Sequence, residues 1–173
     1  MKNIFTPRFI TLSLIVLIAA ITRLIPHAPN FTPIAAIALF GGANFNSKWA
    51  AFLVPLSAMF LSDLFIGFYG VNMIAVYISF ALIALIGTFI SKNQGIGSIA
   101  TATISSSLMF FVVTNFAVWM GNPAYPQTFS GLLECYYVAI PFYNNSLMGD
   151  LFYSSILFGG FYFARLKFPA LAK

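Results

Sequence analysis

Apolar residues gather in six runs along the chain: Arg8 to Ile25, Pro33 to Ala43, Trp49 to Phe68, Val71 to Ser91, Ile96 to Trp119 and Ser146 to Ala164. A helix that crosses a bilayer needs about 20 mostly apolar residues, each adding about 1.5 Å of rise. Five runs reach or approach that length and the second does not. The pattern therefore predicts an all-α integral membrane bundle of six transmembrane helices with a short second helix. Residues 1–173 are expected to form a single transmembrane domain.

The breaks between runs carry their own information. The first run follows Lys2 and Arg8 and could be mistaken for a signal peptide. It is long for one, and no small-x-small cleavage site follows, so it is expected to be a retained helix. The stretch Arg23 to Asn44, RLIPHAPNFTPIAAIALFGGAN, holds three prolines and the only histidine, His27. Pro33 suits a helix start, where its missing N–H has no partner to lose. The helix is expected to stop at Gly41-Gly42. It can cross as a short or broken helix, or re-enter. Broken backbone at membrane depth survives only inside protein or beside a cavity, so this stretch is expected to shape part of a pocket at the outer face.

Two later regions are less regular. The first half of the fifth run is small and hydroxylated, from Gly97 through Ser105, Ser106 and Ser107. Small residues let helices approach closely in lipid, and a tight helix contact is the reading favoured over a hydrophilic path. The long connection Met120 to Asn145 mixes Tyr125, Tyr136, Tyr137 and Tyr143 with Pro123, Pro126 and Pro141, and Trp119 precedes it. Such aromatics favour the lipid–water boundary. Ser130 to Ile140 reads as a short interfacial helix between the fifth and sixth helices.

Composition agrees: 61% of residues are hydrophobic and 6% are charged, against about 25% charged in a soluble domain. The basic excess then reports orientation. With six crossings and a cytoplasmic N-terminus, Lys2, Arg8, Lys48, Lys92, Arg165, Lys167 and Lys173 fall on the cytoplasmic side, and only Arg23 falls outside. Both termini are thus expected to be cytoplasmic, in a multi-pass protein of the bacterial cytoplasmic (inner) membrane. No basic cluster interleaved with aromatics argues for nucleic acid. No phosphate-binding glycine motif is present, and no cofactor or metal is expected. One cysteine, Cys135, excludes an intrachain disulfide; it reads as a boundary residue that packs.

The three acids, Asp63, Glu134 and Asp150, join Arg23 and His27 in the outer half. Ionisable groups in membrane segments mark pathways, ligand sites or internal pairs. Asp63 lies near a helix C-terminus, where the dipole opposes an anion, so it is expected to pair with Arg23 or to face a polar cavity. Asp150 lies about a turn inside the sixth run and suits a helix N-terminus. Glu134 reads as a solvated loop acid and His27 as a surface residue. Arg23, Asp63, Asn115, Trp119 and Asp150 form the expected substrate-binding set. Asn72, Asn122, Tyr69, Tyr77, Tyr125 and Phe142 are further candidates for the wall. Catalysis is not expected: Asp63 with His27 is the only acid–base candidate, and no spacing supports it.

The strings RLIPHAPNFTPIAAIALFGGA, VPLSAMFLSD and GLLECYYVAIPFYNNSLMGDLFYSSILFGG resemble an uncharacterised bacterial family assigned to transport. That family is similar, in size and six-helix layout, to the S components of energy-coupling factor (ECF) transporters. The resemblance implies binding and uptake of a small solute, a vitamin or related micronutrient, at the outer face. It also implies a membrane coupling subunit and ATPases as partners, though some members act alone. The first-helix alanine-x-x-x-alanine docking motif of many S components is absent, because Ala19 is followed four positions later by Arg23. The competing readings are a non-catalytic helper subunit, with the fifth helix as its contact face, and a membrane-embedded enzyme.

Overall fold

The computed structural model describes residues 6–68, 70 and 72–171; Lys2, Tyr69, Val71 and Lys173 lie outside the described residues. Among those described there are six α-helices and no strands. They are α1 (Pro7–Ile21), α2 (Ile34–Asn44), α3 (Lys48–Ile66), α4 (Asn72–Ile90), α5 (Ile96–Gly121) and α6 (Phe129–Lys167). Short 3-10 turns at Thr22–Leu24 and Pro169–Leu171 follow α1 and α6. Every α-helix except α2 is long and apolar enough to cross a membrane; α1 reaches that length with its 3-10 extension.

α2 is the centre of the bundle. Residues 35 to 44 are buried on every side. At about 1.5 Å per residue its 11 residues span only about half a hydrocarbon core, so such a helix is stable only when enclosed by protein. The enclosure is close. A side chain at Gly42 would strike the Ala84 carbonyl of α4, and one at Gly87 would strike the Leu39 carbonyl of α2. Phe40 meets Phe158 and Phe161 of α6 edge to face, at 5.3 and 5.7 Å between centroids, the arrangement aromatic quadrupoles favour. The sequence placed a helix stop at Gly41-Gly42. Instead the helix runs on to Asn44, because these glycines serve close approach to α3 and α4 rather than termination.

A helix leaves four N–H and four C=O groups unpaired at its ends, and α2 has some of those groups met by side chains from elsewhere in the bundle. At its C-terminal end Arg8 Nη2 donates to Asn44 O at 2.9 Å and Gln94 Nε2 to Ala43 O at 3.0 Å. Arg8 Nη1 also donates to Leu171 O at 2.8 Å. These bonds bring the start of α1, the end of α2, the α4–α5 turn and the chain after α6 to one end of the bundle. Arg8 and Lys92 belong to those segments, and Lys48 at the start of α3 and Arg165 and Lys167 in the last turn of α6 adjoin them. Among the described bases only Arg23 belongs to the other end.

The sixth helix differs most from the sequence expectation. The separate interfacial helix over Ser130 to Ile140 and the run from Ser146 are one helix of 39 residues, and only residues 122–128 connect it to α5. Pro141 sits inside it without ending it. A proline removes one helical hydrogen bond and crowds one carbonyl, and here α5 braces both sides of the site. Tyr136 Oη donates to Val112 O at 2.7 Å, and Phe111 packs on Tyr136 and Tyr143 at 5.6 and 4.8 Å. Thr128 caps the new start by accepting from Gly131 N.

Candidate functional site

Two polar assemblies occupy the end of the bundle opposite the clustered bases. The first is built on the final turn of α3. Asp63 is fully buried there, with Arg23 Nη2 2.8 Å from its Oδ1. Tyr77 Oη of α4 donates to Asp63 Oδ2 at 2.8 Å. Arg23 Nη1 also donates to the Ser62 hydroxyl and, at 3.4 Å, to Met59 O. The Arg23 side chain is only 6% exposed. The 3-10 turn after α1 presents Arg23 inward at this level, and its positive charge offsets the unfavourable dipole at the α3 C-terminus. The result is a closed ion pair with a phenol and a hydroxyl around it. Burial of such a pair is tolerable because the opposite charges meet directly and hydrogen bonds reach Asp63 Oδ2 and Arg23 Nη1, although Arg23 Nε and Asp63 Oδ1 close no hydrogen bond of normal geometry.

The second assembly is open. A hollow of about 310 Å³ lies between the loop before α2, the first turns of α4, the second half of α5 and the first half of α6. Phe110, Phe111, Phe142 and Tyr143 give it aromatic walls, and Ser107, Thr114, Asn115 and Ser146 give it polar groups. The loop supplies Asn30, Thr32 and Ile34. It is held down on α6: Asn145 Nδ2 donates to Pro29 O at 3.1 Å, and Phe31 packs against Phe152 and Tyr153. Gly149 lets the loop backbone lie directly on α6, since any side chain there would press on Phe31 and Thr32. Asn30 takes a left-handed backbone, φ 61°, which asparagine tolerates better than most residues.

Asp150 sits at the junction of loop, hollow and α2. It is buried, and its carboxylate faces the backbone N–H groups of Ala35 and Ala36 in the first turn of α2. Ser107 is turned toward the same carboxylate, although its fully buried Oγ closes no hydrogen bond of normal geometry. The sequence assigned Asp150 to the start of the sixth helix. The attraction of a carboxylate for a helix N-terminus is the right one, but the terminus is that of α2, and Asp150 lies deep within α6.

The expected binding residues are therefore distributed. Asn115 lines the hollow, and Asp150 abuts it through Ser107. Arg23 and Asp63 pair with each other and are not among its lining residues. α4 touches both assemblies through neighbouring residues, Val76 in the hollow and Tyr77 on the ion pair. Trp119 is also outside the lining; its indole donates to Pro126 O at 2.9 Å and steadies the α5–α6 connection. Of the further wall candidates, Phe142 lines the hollow and Tyr77 does not. His27 is exposed and bonds the neighbouring Ala28 carbonyl, and Glu134 is exposed on α6. Cys135 is buried, with Sγ 3.5 Å from Asn115 O.

Sequence reasoning missed Ser107, Phe110, Phe111, Thr114 and Tyr143. It assigned the serine-rich part of α5 to helix contact, and that part divides. Thr103 donates to Ser154 of α6 at 3.1 Å across a buried contact, while Ser107, one turn on, lines the hollow. The available signal was spacing: Ser107, Thr114 and Asn115 recur at seven and eight residues, which is one face of a helix.

A family model described as a family of unknown function (DUF6580) matches residues 3–171, and the chain belongs to that family. No curated protein matches it, and neither does any solved structure.

Proposed function

We propose that this DUF6580 protein is a non-catalytic solute-binding membrane protein, similar in role to an ECF S component. It takes up a small solute, a vitamin or related micronutrient, through the hollow beside the α2 N-terminus. The hollow carries the reading. Its volume of about 310 Å³ lies at the small end of the range for ligand sites, about 300–1,000 Å³. Its mixture of apolar rings and a few polar groups also matches such sites. The placement of the clustered bases supports orientation: with Arg8, Lys48, Lys92, Arg165 and Lys167 cytoplasmic, the hollow opens toward the outside of a bacterial inner membrane. All six helices then cross, α2 together with the loop before it. Energising partners of the coupling-subunit and ATPase kind follow from the resemblance.

The test is to purify the protein in lipid nanodiscs, identify the small molecules extracted from it by mass spectrometry, and screen a vitamin panel for a rise in melting temperature. At least one solute is expected to bind the wild type and to be lost when the hollow is filled by Ala139→Trp or Val76→Phe. A protein that carries and binds nothing ends the proposal.

One observation favours the helper-subunit reading. Grooves flank the inner half of α5 on both sides. One, of about 530 Å³, is lined by Gly97, Ser98, Thr101 and Ser105 with residues of α4. The other, of about 670 Å³, is lined by Ile99, Ala100 and Thr103 with residues of α6. Cross-linking from these grooves to one abundant membrane protein, without solute binding, would favour that role.

A further inference from the structure

The groove of about 670 Å³ between α5 and α6 runs toward the end of the bundle that holds the clustered bases. Its lining on α6 extends from Leu151 to Arg165, which is about 21 Å of helix at about 1.5 Å per residue. One leaflet supplies about 15 Å of hydrocarbon, half of a core of about 30 Å. The groove is therefore long enough for one acyl chain with its headgroup at the level of Arg165. Most of the surface between is apolar, with Ile99, Ala100, Phe158 and Gly159 in it. Its hydroxyls are turned on the protein: Thr103 bonds Ser154 at 3.1 Å, and Ser155 donates to Leu151 O at 2.7 Å. An acyl chain needs no hydrogen bond and breaks none of these.

The Arg165 end has a different chemistry. Tyr162 and Arg165 both line it, three residues apart and so neighbours on one helix face. Neither side chain has a hydrogen-bond or ion-pair partner among the described residues, so a phenol and a guanidinium have hydrogens to give. Arg165 lies over the Phe161 ring at 5.2 Å from the centroid, and Arg8 lies over the same ring at 5.5 Å. Two positive charges thus share one ring, with Lys167 two residues further on. Asp63, Glu134 and Asp150 are the chain's acidic side chains, and none of them lines the groove. Basic pockets between membrane helices hold anionic headgroups.

We propose that this groove seats an anionic phospholipid of the leaflet next to the clustered bases, with an acyl chain between α5 and α6 and the phosphate on Arg165 and Tyr162. A zwitterionic lipid fits less well, because no acid in the lining meets its ammonium group. A partner's transmembrane helix would have to bring an acid of its own to the level of Arg165. The proposal is independent of what the hollow binds.

The full chain, purified and stripped of lipid in detergent, is titrated with phosphatidylglycerol and with phosphatidylcholine of identical acyl chains, and bound lipid is read by native mass spectrometry. Phosphatidylglycerol is expected to bind about tenfold more tightly, the size of effect a charge-assisted hydrogen bond gives. Arg165→Gln should remove that preference. Gly159→Phe should weaken both lipids by filling the groove; a side chain at Gly159 meets nothing within 4 Å, so the helix packing has room for it. Gly160 is equally open and lies outside the lining, so Gly160→Phe should leave binding unchanged. The proposal is overturned if phosphatidylcholine binds as tightly as phosphatidylglycerol, or if tight phosphatidylglycerol binding survives either Arg165→Gln or Gly159→Phe. Should one of these two variants fail to fold, the other decides. A second copy or another polypeptide held by the wild type and released by Gly159→Phe, with no lipid bound, overturns it as well.

Discussion

Arg23–Asp63 and Asp150–Ser107 are two buried carboxylate clusters at the same end of one bundle, and they are built differently. Asp63 has a guanidinium and a phenol on its two oxygens, and the guanidinium also reaches Ser62. Asp150 has backbone N–H groups of α2 and a hydroxyl, and it is buried behind Ser107, which lines the hollow. A closed ion pair holds helices together; a cluster that stands next to a hollow also shapes the wall of that hollow. The sequence separated these acids only by the helix end each was expected to occupy. Their partners separate a brace from a binding wall.

The sharpest way to break this comparison is Asp63→Ala. It strands Arg23 in a buried position, and removing one partner of a buried pair costs about 3–5 kcal/mol. Thermal unfolding in detergent should show that loss, and Arg23→Met with Asp63→Leu should recover much of it. If Asp63→Ala unfolds like wild type but loses solute binding, the two clusters have been assigned the wrong way round. Asp150→Ala should come next, at about 2 kcal/mol, because it uncaps α2; it should weaken solute binding as well. Asn115→Leu removes a group from the hollow while α5 stays intact, so binding should fall about tenfold with little change in melting temperature. Tyr77→Phe is the mirror image: stability should drop by about 1 kcal/mol, with solute affinity unchanged. Glu134→Ala, at an exposed position, should stay within about 0.5 kcal/mol of wild type.

Much of the scaffold was legible because lipid imposes it. Run length alone located six helices to within a few residues at most ends. An acid at a helix C-terminus was expected to pair with Arg23 or to face a polar cavity, and the pairing is the one of the two that the structure has. What the chain concealed were rotations and continuities. Pro141 looked like a boundary, yet the helix passes through it because α5 supplies contacts that no local rule anticipates. Gly41 and Gly42 looked like a stop, when their role is contact with Pro55 and Ala84. The aromatic lining was hidden for another reason. In a chain with 18% aromatic residues, Phe110 and Phe111 carry no mark distinguishing the ring that faces lipid from the ring that faces a hollow. A soluble helix announces its inner face by contrast with a polar outer one; α5, apolar nearly all round, offers only the spacing of Ser107, Thr114 and Asn115.

The dependence of α2 on distant side chains bears on how the protein is made. Its N-terminal partner Asp150 and its packing partners Phe158 and Phe161 all belong to α6, which leaves the ribosome after the other five helices. Until α3 and α4 emerge the second segment is too short to settle in the bilayer by itself, and until α6 emerges the start of α2 lacks its carboxylate partner. The enclosure of α2 is therefore completed only once α6 has emerged, with the later helix closing over an early one, and a nascent chain halted before Asp150 would be a substrate for membrane quality control.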